Sequence, residues 1–318
     1  MKTEVGILFI SLIATGVFAH YLVVASIRLA KIFKVSEAFI GLTVVAMGTS
    51  APEIAVSISA ALDGKGALSV GNVIGSNIFN LGFILGLVSL IAPQKISQKI
   101  LVRDGVVLLF STVLILLFLS NQFISRKEGG ILLFCLLVYN LYLWMKKDIP
   151  DEEDVKNEHK GKKMDIPLFF GSLFGLIISS HFVVDSSVTI AQYFHVSEWA
   201  IGATIVAAGT SLPEVATSVV ATLRGRFGLS VGNVIGSDIF NVFGIIGVSS
   251  VITPLSLHSR HEFFGFPDNV FSVMLLVFTI VVTLFFMRTG WKISRLEGGL
   301  LLFAALGRMI FELSISRT

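Results

Sequence analysis

The chain has 318 residues, 54% of them hydrophobic and 14% charged, with a net charge of +3 and one cysteine. A soluble domain carries about 25% charged residues, so a mean hydropathy of +0.87 means that most of this surface faces something other than water. The single Cys135 excludes an intramolecular disulfide and reads as a small apolar core residue.

Apolar runs long enough to cross a bilayer recur along the chain, at about 5–31, 38–63, 67–91, 102–120, 128–146, 165–192, 199–224, 228–253, 268–288 and 296–315. The first is longer than a secretory signal core and lacks a clear cleavage site, so it reads as a mature transmembrane helix. The second contains Gly48-Thr49-Ser50-Ala51-Pro52-Glu53, and the third Gly71-Asn72-Val73-Ile74-Gly75-Ser76-Asn77-Ile78-Phe79-Asn80. Residues 147–163 carry both signs of charge and almost no apolar side chain, which predicts a solvated linker. The seventh run repeats the first motif as Gly209-Thr210-Ser211-Leu212-Pro213-Glu214, and the eighth repeats the second, ending in Asn241. With both termini outside, 17 of the 24 Lys and Arg fall in inward loops, so the basic residues read as a topology signal for a cell-membrane protein and leave no footprint for nucleic acid.

The chain is a tandem of two related halves. Of the 52 positions from Val35 to Gly86, 32 are identical 161 residues later, and Pro93/Pro254 and His20/His181 keep that offset. The fifth and tenth segments share RKEGGILLF and RLEGGLLLF at a drifted offset. The predicted organisation is a first half at 1–146, a cytoplasmic linker at 147–163 and a second half at 164–318. Five crossings per half invert the second half relative to the first, a signature of secondary transporters with a site at mid-membrane. The expected fold is all-α and integral to the membrane, ten helices in two inverted five-helix repeats.

Within each GTSxPE motif, glycine loosens the helix and proline removes a backbone donor. Irregular backbone at that depth survives only where it is buried or lines a wet cavity. The carboxylates Glu53 and Glu214 have no Lys or Arg in these stretches, and a charge at the bilayer centre costs roughly 2.5–3.5 kcal/mol on insertion scales. A bound cation is the natural partner, and oxygen-only ligation suits hard ions such as Ca²⁺ and Na⁺. The Gly71/Gly75 and Gly232/Gly236 spacings predict close helix approach, with Ser76, Asn80, Ser237 and Asn241 presenting oxygens to the same cavity.

These four motifs resemble the cation/Ca²⁺ exchanger superfamily, whose two alpha-repeats carry GTSxPE and GNxxGSN-type sequences on ten helices. The resemblance covers the whole chain. It implies electrogenic exchange of several Na⁺ for one Ca²⁺ by alternating access, with no organic cofactor and no enzymatic reaction. It implies Ca²⁺ between Glu53 and Glu214 with help from the Thr49 and Thr210 carbonyls, and Na⁺ at Ala46, Ser50, Ser76, Ala207, Ser211 and Ser237. Asn80 and Asn241 complete the central ring. A proton-coupled cation exchanger is the alternative, although the proton-transporting branch usually has GNxxE where this chain has GTSxPE.

Two departures stand out. Some relatives have aspartate at the position of Asn241, and Asp238, replacing the repeat's Asn77, is a candidate third charge or else a residue facing a polar neighbour. His20 and His181 stand where an acidic or small polar residue is common, and either sense pH or bond a neighbouring helix. Glu37 and Glu198 read as helix-start residues, Asn72 and Asn233 as interhelical bonds, and the phenylalanines as lipid-facing bulk. Asp185, without a counterpart, lies on the outer ion path or at a helix end. Oligomeric state is unconstrained.

Overall fold

Serines start several helices. Ser36 accepts from the Phe39 amide at 3.1 Å, and Ser125 with Glu128 forms a capping box. Ser294 and Glu297 repeat that reciprocal pair at the equivalent place in the second half. Gly64 and Gly225, both at φ +72°, turn the chain after the two motif-bearing helices, a left-handed conformation that costs glycine nothing.

The computed structural model describes residues 2–146, 164–194, 207–257, 262–263 and 266–315. In chain order these are α1 (Lys2–Phe33), α2 (Glu37–Thr49), α3 (Ala51–Leu62), α4 (Gly66–Ile91), α5 (Ile100–Asn121) and α6 (Arg126–Met145). The second half continues with α7 (Asp165–Tyr193), α8 (Leu212–Leu223), α9 (Phe227–Ile252), α10 (Asp268–Arg288) and α11 (Arg295–Ile315). Seven of these helices are long and apolar enough to cross a membrane, eight if α2 and α3, bent by 47° at Ser50, are one span. Helices also cover the described part of the seventh expected segment, as α8, and the tenth, as α11. Glu198, the first part of the seventh segment and the linker 147–163 lie outside the described residues.

Two tightly enclosed helices, α4 and α9, form the centre. Gly236 of α9 rides on α2 so closely that an added Cβ would sit 2.6 Å from the Leu42 Cα and carbonyl oxygen. Two glycine-on-glycine contacts hold the flanks at equivalent places: Gly86 of α4 against Gly298 of α11, and Gly247 of α9 against Gly129 of α6. Around this centre α3 packs on α4, α8 on α9, and α5 on α10. The long helices α1 and α7 run antiparallel along each other, joined by Thr15 to Ser179 at 3.1 Å and Arg28 to Asp165 at 3.1 Å.

Short strands tie the two halves at two places. β1 (Gln94–Lys95) pairs with β6 (Lys292–Ile293), and β2 (Phe123–Ile124) with β3 (Leu255–Ser256), both antiparallel. β4 (Glu262–Phe263) and β5 (Phe266–Pro267) form a local hairpin. Phe9, Ile10, Phe134, Phe174, Phe278, Phe285 and Phe303 are each more than 60% exposed, a perimeter that only hydrocarbon would solvate without cost. Phe169 and Phe243 are fully buried and stand apart from that perimeter. Cys135 is half-buried rather than a core residue.

Candidate cation site

The GTSxPE motifs break their helices over one or two residues, at Ser50 with a bend of 47° and at Thr210-Ser211, much less unwinding than the motif suggests. Ser50 N–H still reaches the Ala46 carbonyl and Ile54 N–H the Ser50 carbonyl, both at 3.1 Å. The reason is position: Pro52 and Pro213 sit in the first turn of α3 and α8, where a missing N–H costs little. The break starts a new helix, and Glu53 and Glu214 occupy its first turn, where the helix dipole favours negative charge.

The two motifs meet face to face. Ser50 Oγ donates to Glu214 Oε1 at 3.0 Å, and Ser211 Oγ donates to Glu53 Oε1 at 2.8 Å. Each serine thus holds the glutamate of the other half. Both carboxylates are 1% exposed, and their Oε2 atoms have no partner among the described residues. Ion pairs lie elsewhere, among them Arg28–Asp165, Lys65–Asp63, Arg103–Asp104 and Arg226–Glu37. Two buried charges without a partner are strongly unfavourable.

The rest of the expected ligand set sits at varied positions. Thr49 Oγ1 donates within 3.3 Å to the Ala46 carbonyl and to Asn233 Oδ1, whereas Thr210 Oγ1 is buried without a partner. Ser237 Oγ lies 3.5 Å from the Ala46 carbonyl, which brings two expected sodium ligands together. Ser76 is buried on α4, and Ala207 opens the short turn Ala207–Gly209. Asn80 and Asn241 are buried at the start of π turns (Asn80–Ile84 and Asn241–Ile246), each with its Oδ1 unpartnered. Those π turns have no signal in the motifs, yet such bulges concentrate at functional sites.

Behind this layer stands a second one. Asn72 donates to Ser57 Oγ at 2.9 Å and to the Glu53 carbonyl, and Asn233 donates to Ser218 Oγ at 3.1 Å. The interhelical reading of Asn72 and Asn233 is correct, but Ser57 and Ser218 escape a motif search. Their signal is the repeat itself: each lies one turn beyond its glutamate. Asp238 is fully buried and accepts from Asn80 Nδ2 at 2.9 Å, so it faces a polar neighbour inside the bundle. No group of three or more His, Cys, Asp or Glu converges among the described residues, so hydroxyl, amide and carbonyl oxygens must complete any cation shell.

Other candidates stand apart. Arg224 Nη2 lies 2.6 Å from His20 Nε2, joining α1 to the end of α8, whereas His181 contacts Phe182. Glu37 does more than start a helix, pairing with Arg226 of the other half at 3.0 Å. Asp185 is exposed in the last third of α7, short of its end.

The sodium/calcium exchanger protein family model matches residues 3–145 and 165–312, nearly the whole chain. The chain belongs to the sodium/calcium exchanger family. It is 34% identical to sodium/calcium exchanger MaX1 of Methanosarcina acetivorans, over 93% of this chain and 94% of that one. It is 35% identical to the putative antiporter CaxA of Alkalimonas amylolytica, over 88% and 89%. The structure of the sodium-calcium exchanger NCX_Mj soaked with zero Na⁺ and Ca²⁺ superposes with a TM-score of 0.82 at 30% identity, over 95% of this chain and 96% of that one. Membership of this exchanger family makes the protein a membrane transporter, in keeping with its perimeter of apolar spans.

Proposed function

We propose that the chain exchanges Na⁺ for Ca²⁺ by alternating access at one site shared by Glu53 and Glu214. The observation that carries this reading is the reciprocal pairing of Ser50 with Glu214 and Ser211 with Glu53, which leaves one oxygen of each buried carboxylate without a partner. Ca²⁺ takes six to eight oxygens; here the two glutamates, the Thr49 and Thr210 carbonyls and the Asn80 and Asn241 amides supply them. Sodium ions use the same glutamates with Ser50, Ser211, Ser76, Ser237 and the Ala46 and Ala207 carbonyls. Sharing is what couples the ions: the carboxylates serve either one Ca²⁺ or several Na⁺, never both.

Ten helices in two inverted repeats (1–146 and 164–318) supply the two access states. The paired helices α1 and α7 slide across a core pinned by glycine contacts and strand pairs. In this structure α1 packs along α8, while α7 has no comparable contact with α3, its repeat equivalent. With both termini extracytoplasmic, α3 lies in the outer half of the membrane, so this state opens outward.

The test is uptake of radiolabelled Ca²⁺ into proteoliposomes loaded with Na⁺, against Na⁺-free controls. Uptake that requires internal Na⁺ and vanishes in Glu53→Gln is expected. Uptake driven by a pH gradient without Na⁺ would replace this reading with proton coupling, and flux with no counter-ion would make the protein a channel.

A further inference from the structure

Where α4 crosses α9, four side chains related by the repeat meet: Asn77 with Asp238, and Asn80 with Asn241. Their hydrogen bonds follow the repeat almost completely. Asn80 Nδ2 donates to Asp238 Oδ1 at 2.9 Å, and its equivalent, Asn241 Nδ2, donates to Asn77 Oδ1 at 2.9 Å. Asn77 Nδ2 donates to the Asp238 main-chain carbonyl at 3.0 Å. The fourth bond, from position 238 to the Asn77 carbonyl, needs an N–H that asparagine has and aspartate lacks. A carboxylate accepts only. The sequence has therefore removed one donor from an otherwise two-fold symmetric set of bonds and put a charge in its place.

Asp238 is 0% exposed, and its Oδ2 has no partner among the described residues. The adjoining Asn80 turns its nitrogen to Asp238 and leaves its own Oδ1, also buried, unpartnered. No Lys or Arg ion pair reaches Asp238 among the described residues. A lone buried carboxylate beside a free amide oxygen calls for neutralisation, by a positive guest or by a proton. The glutamates do not share theirs with it, because the three carboxylates do not converge.

We propose that Asp238 Oδ2 and Asn80 Oδ1 form a separate subsite for a monovalent cation, beside the Glu53/Glu214 site. Its single negative charge matches a single positive one. Asn80 belongs to both sites, so occupancy of one is felt at the other. This subsite adds one Na⁺ to the set that opposes Ca²⁺, and it rests on the reading of the chain as a sodium-driven exchanger.

Asp238→Asn restores the missing donor and is expected to fold at least as well as the natural chain. In detergent without Ca²⁺, the Na⁺-dependent rise in thermal stability should lose cooperativity, its Hill coefficient falling by about one, while Ca²⁺ stabilises both proteins at similar concentrations. In proteoliposomes the charge moved per Ca²⁺ should fall with it. Unchanged Na⁺ cooperativity in Asp238→Asn would overturn the subsite, as would a loss of Ca²⁺ affinity with Na⁺ binding intact. If the natural protein shows no Na⁺-driven Ca²⁺ uptake, the exchanger reading fails by itself, and Na⁺-dependent stability still reports on the subsite.

Discussion

At the scale of single residues, the pairing across halves makes the two serines interchangeable in role. Ser50→Ala and Ser211→Ala each strip a hydroxyl from a buried carboxylate of the opposite half. Partners of this kind typically cost 10–100-fold in metal affinity when removed, so each variant should weaken the apparent affinity for Na⁺ by roughly tenfold or more in uptake assays. The two effects should be alike, and a large difference would mean that only one glutamate carries the exchange. These serines were legible as candidate site residues because GTSxPE occurs twice. That each would serve the other half's glutamate was not, since a repeat reveals equivalence and not which copy touches which. Asp238 was visible as the odd residue of its repeat, but only the bonds of Asn77, Asn80 and Asn241 show what its lost N–H leaves open.

Helices and their crossings are governed by different residues. The close approach of α9 to α2 depends on Gly236, where even a Cβ would collide with Leu42 main-chain atoms. Gly236→Val should lower thermal stability in detergent by several degrees, because overpacking a tight contact costs about 1–3 kcal/mol. A variant that melts like the natural chain would mean that α2 can retreat freely. The sliding of α1 gives a second expectation. Cysteines replacing His20 and Arg224 in a Cys135→Ala background, joined by a short bifunctional thiol reagent, should hold α1 on α8 and stop exchange, with reductant-cleavable crosslinks restoring it. Transport that survives the crosslink would exclude α1 as the moving part. Hydrophobic runs and the Ser36-Glu37 start of α2 were readable from spacing alone. The short break at Ser50 was not, because Pro52 looks like a helix breaker until the new helix is seen to begin just before it.

For the whole molecule, the ten apolar runs were plain in the sequence, and among the described residues seven or eight helices qualify as spans by length and composition. The first part of the seventh run lies outside the described residues. Orientation rests on the distribution of Lys and Arg. A cysteine placed at Thr3 in the Cys135→Ala background should react with a membrane-impermeant maleimide added outside intact cells. Labelling only after permeabilisation would reverse the proposed topology and turn the outward-open state into an inward-open one.

The contacts between the halves have a consequence for how the protein can be made. β1 with β6, β2 with β3, Gly86 with Gly298, Gly247 with Gly129 and the α4–α9 crossing all join residues from opposite sides of the linker. The peptide connection is thus one tether among many. Two polypeptides ending and beginning within 147–163, translated from separate messages, should find each other in the bilayer and co-purify as a working heterodimer, as an ancestor of two independent subunits would have done.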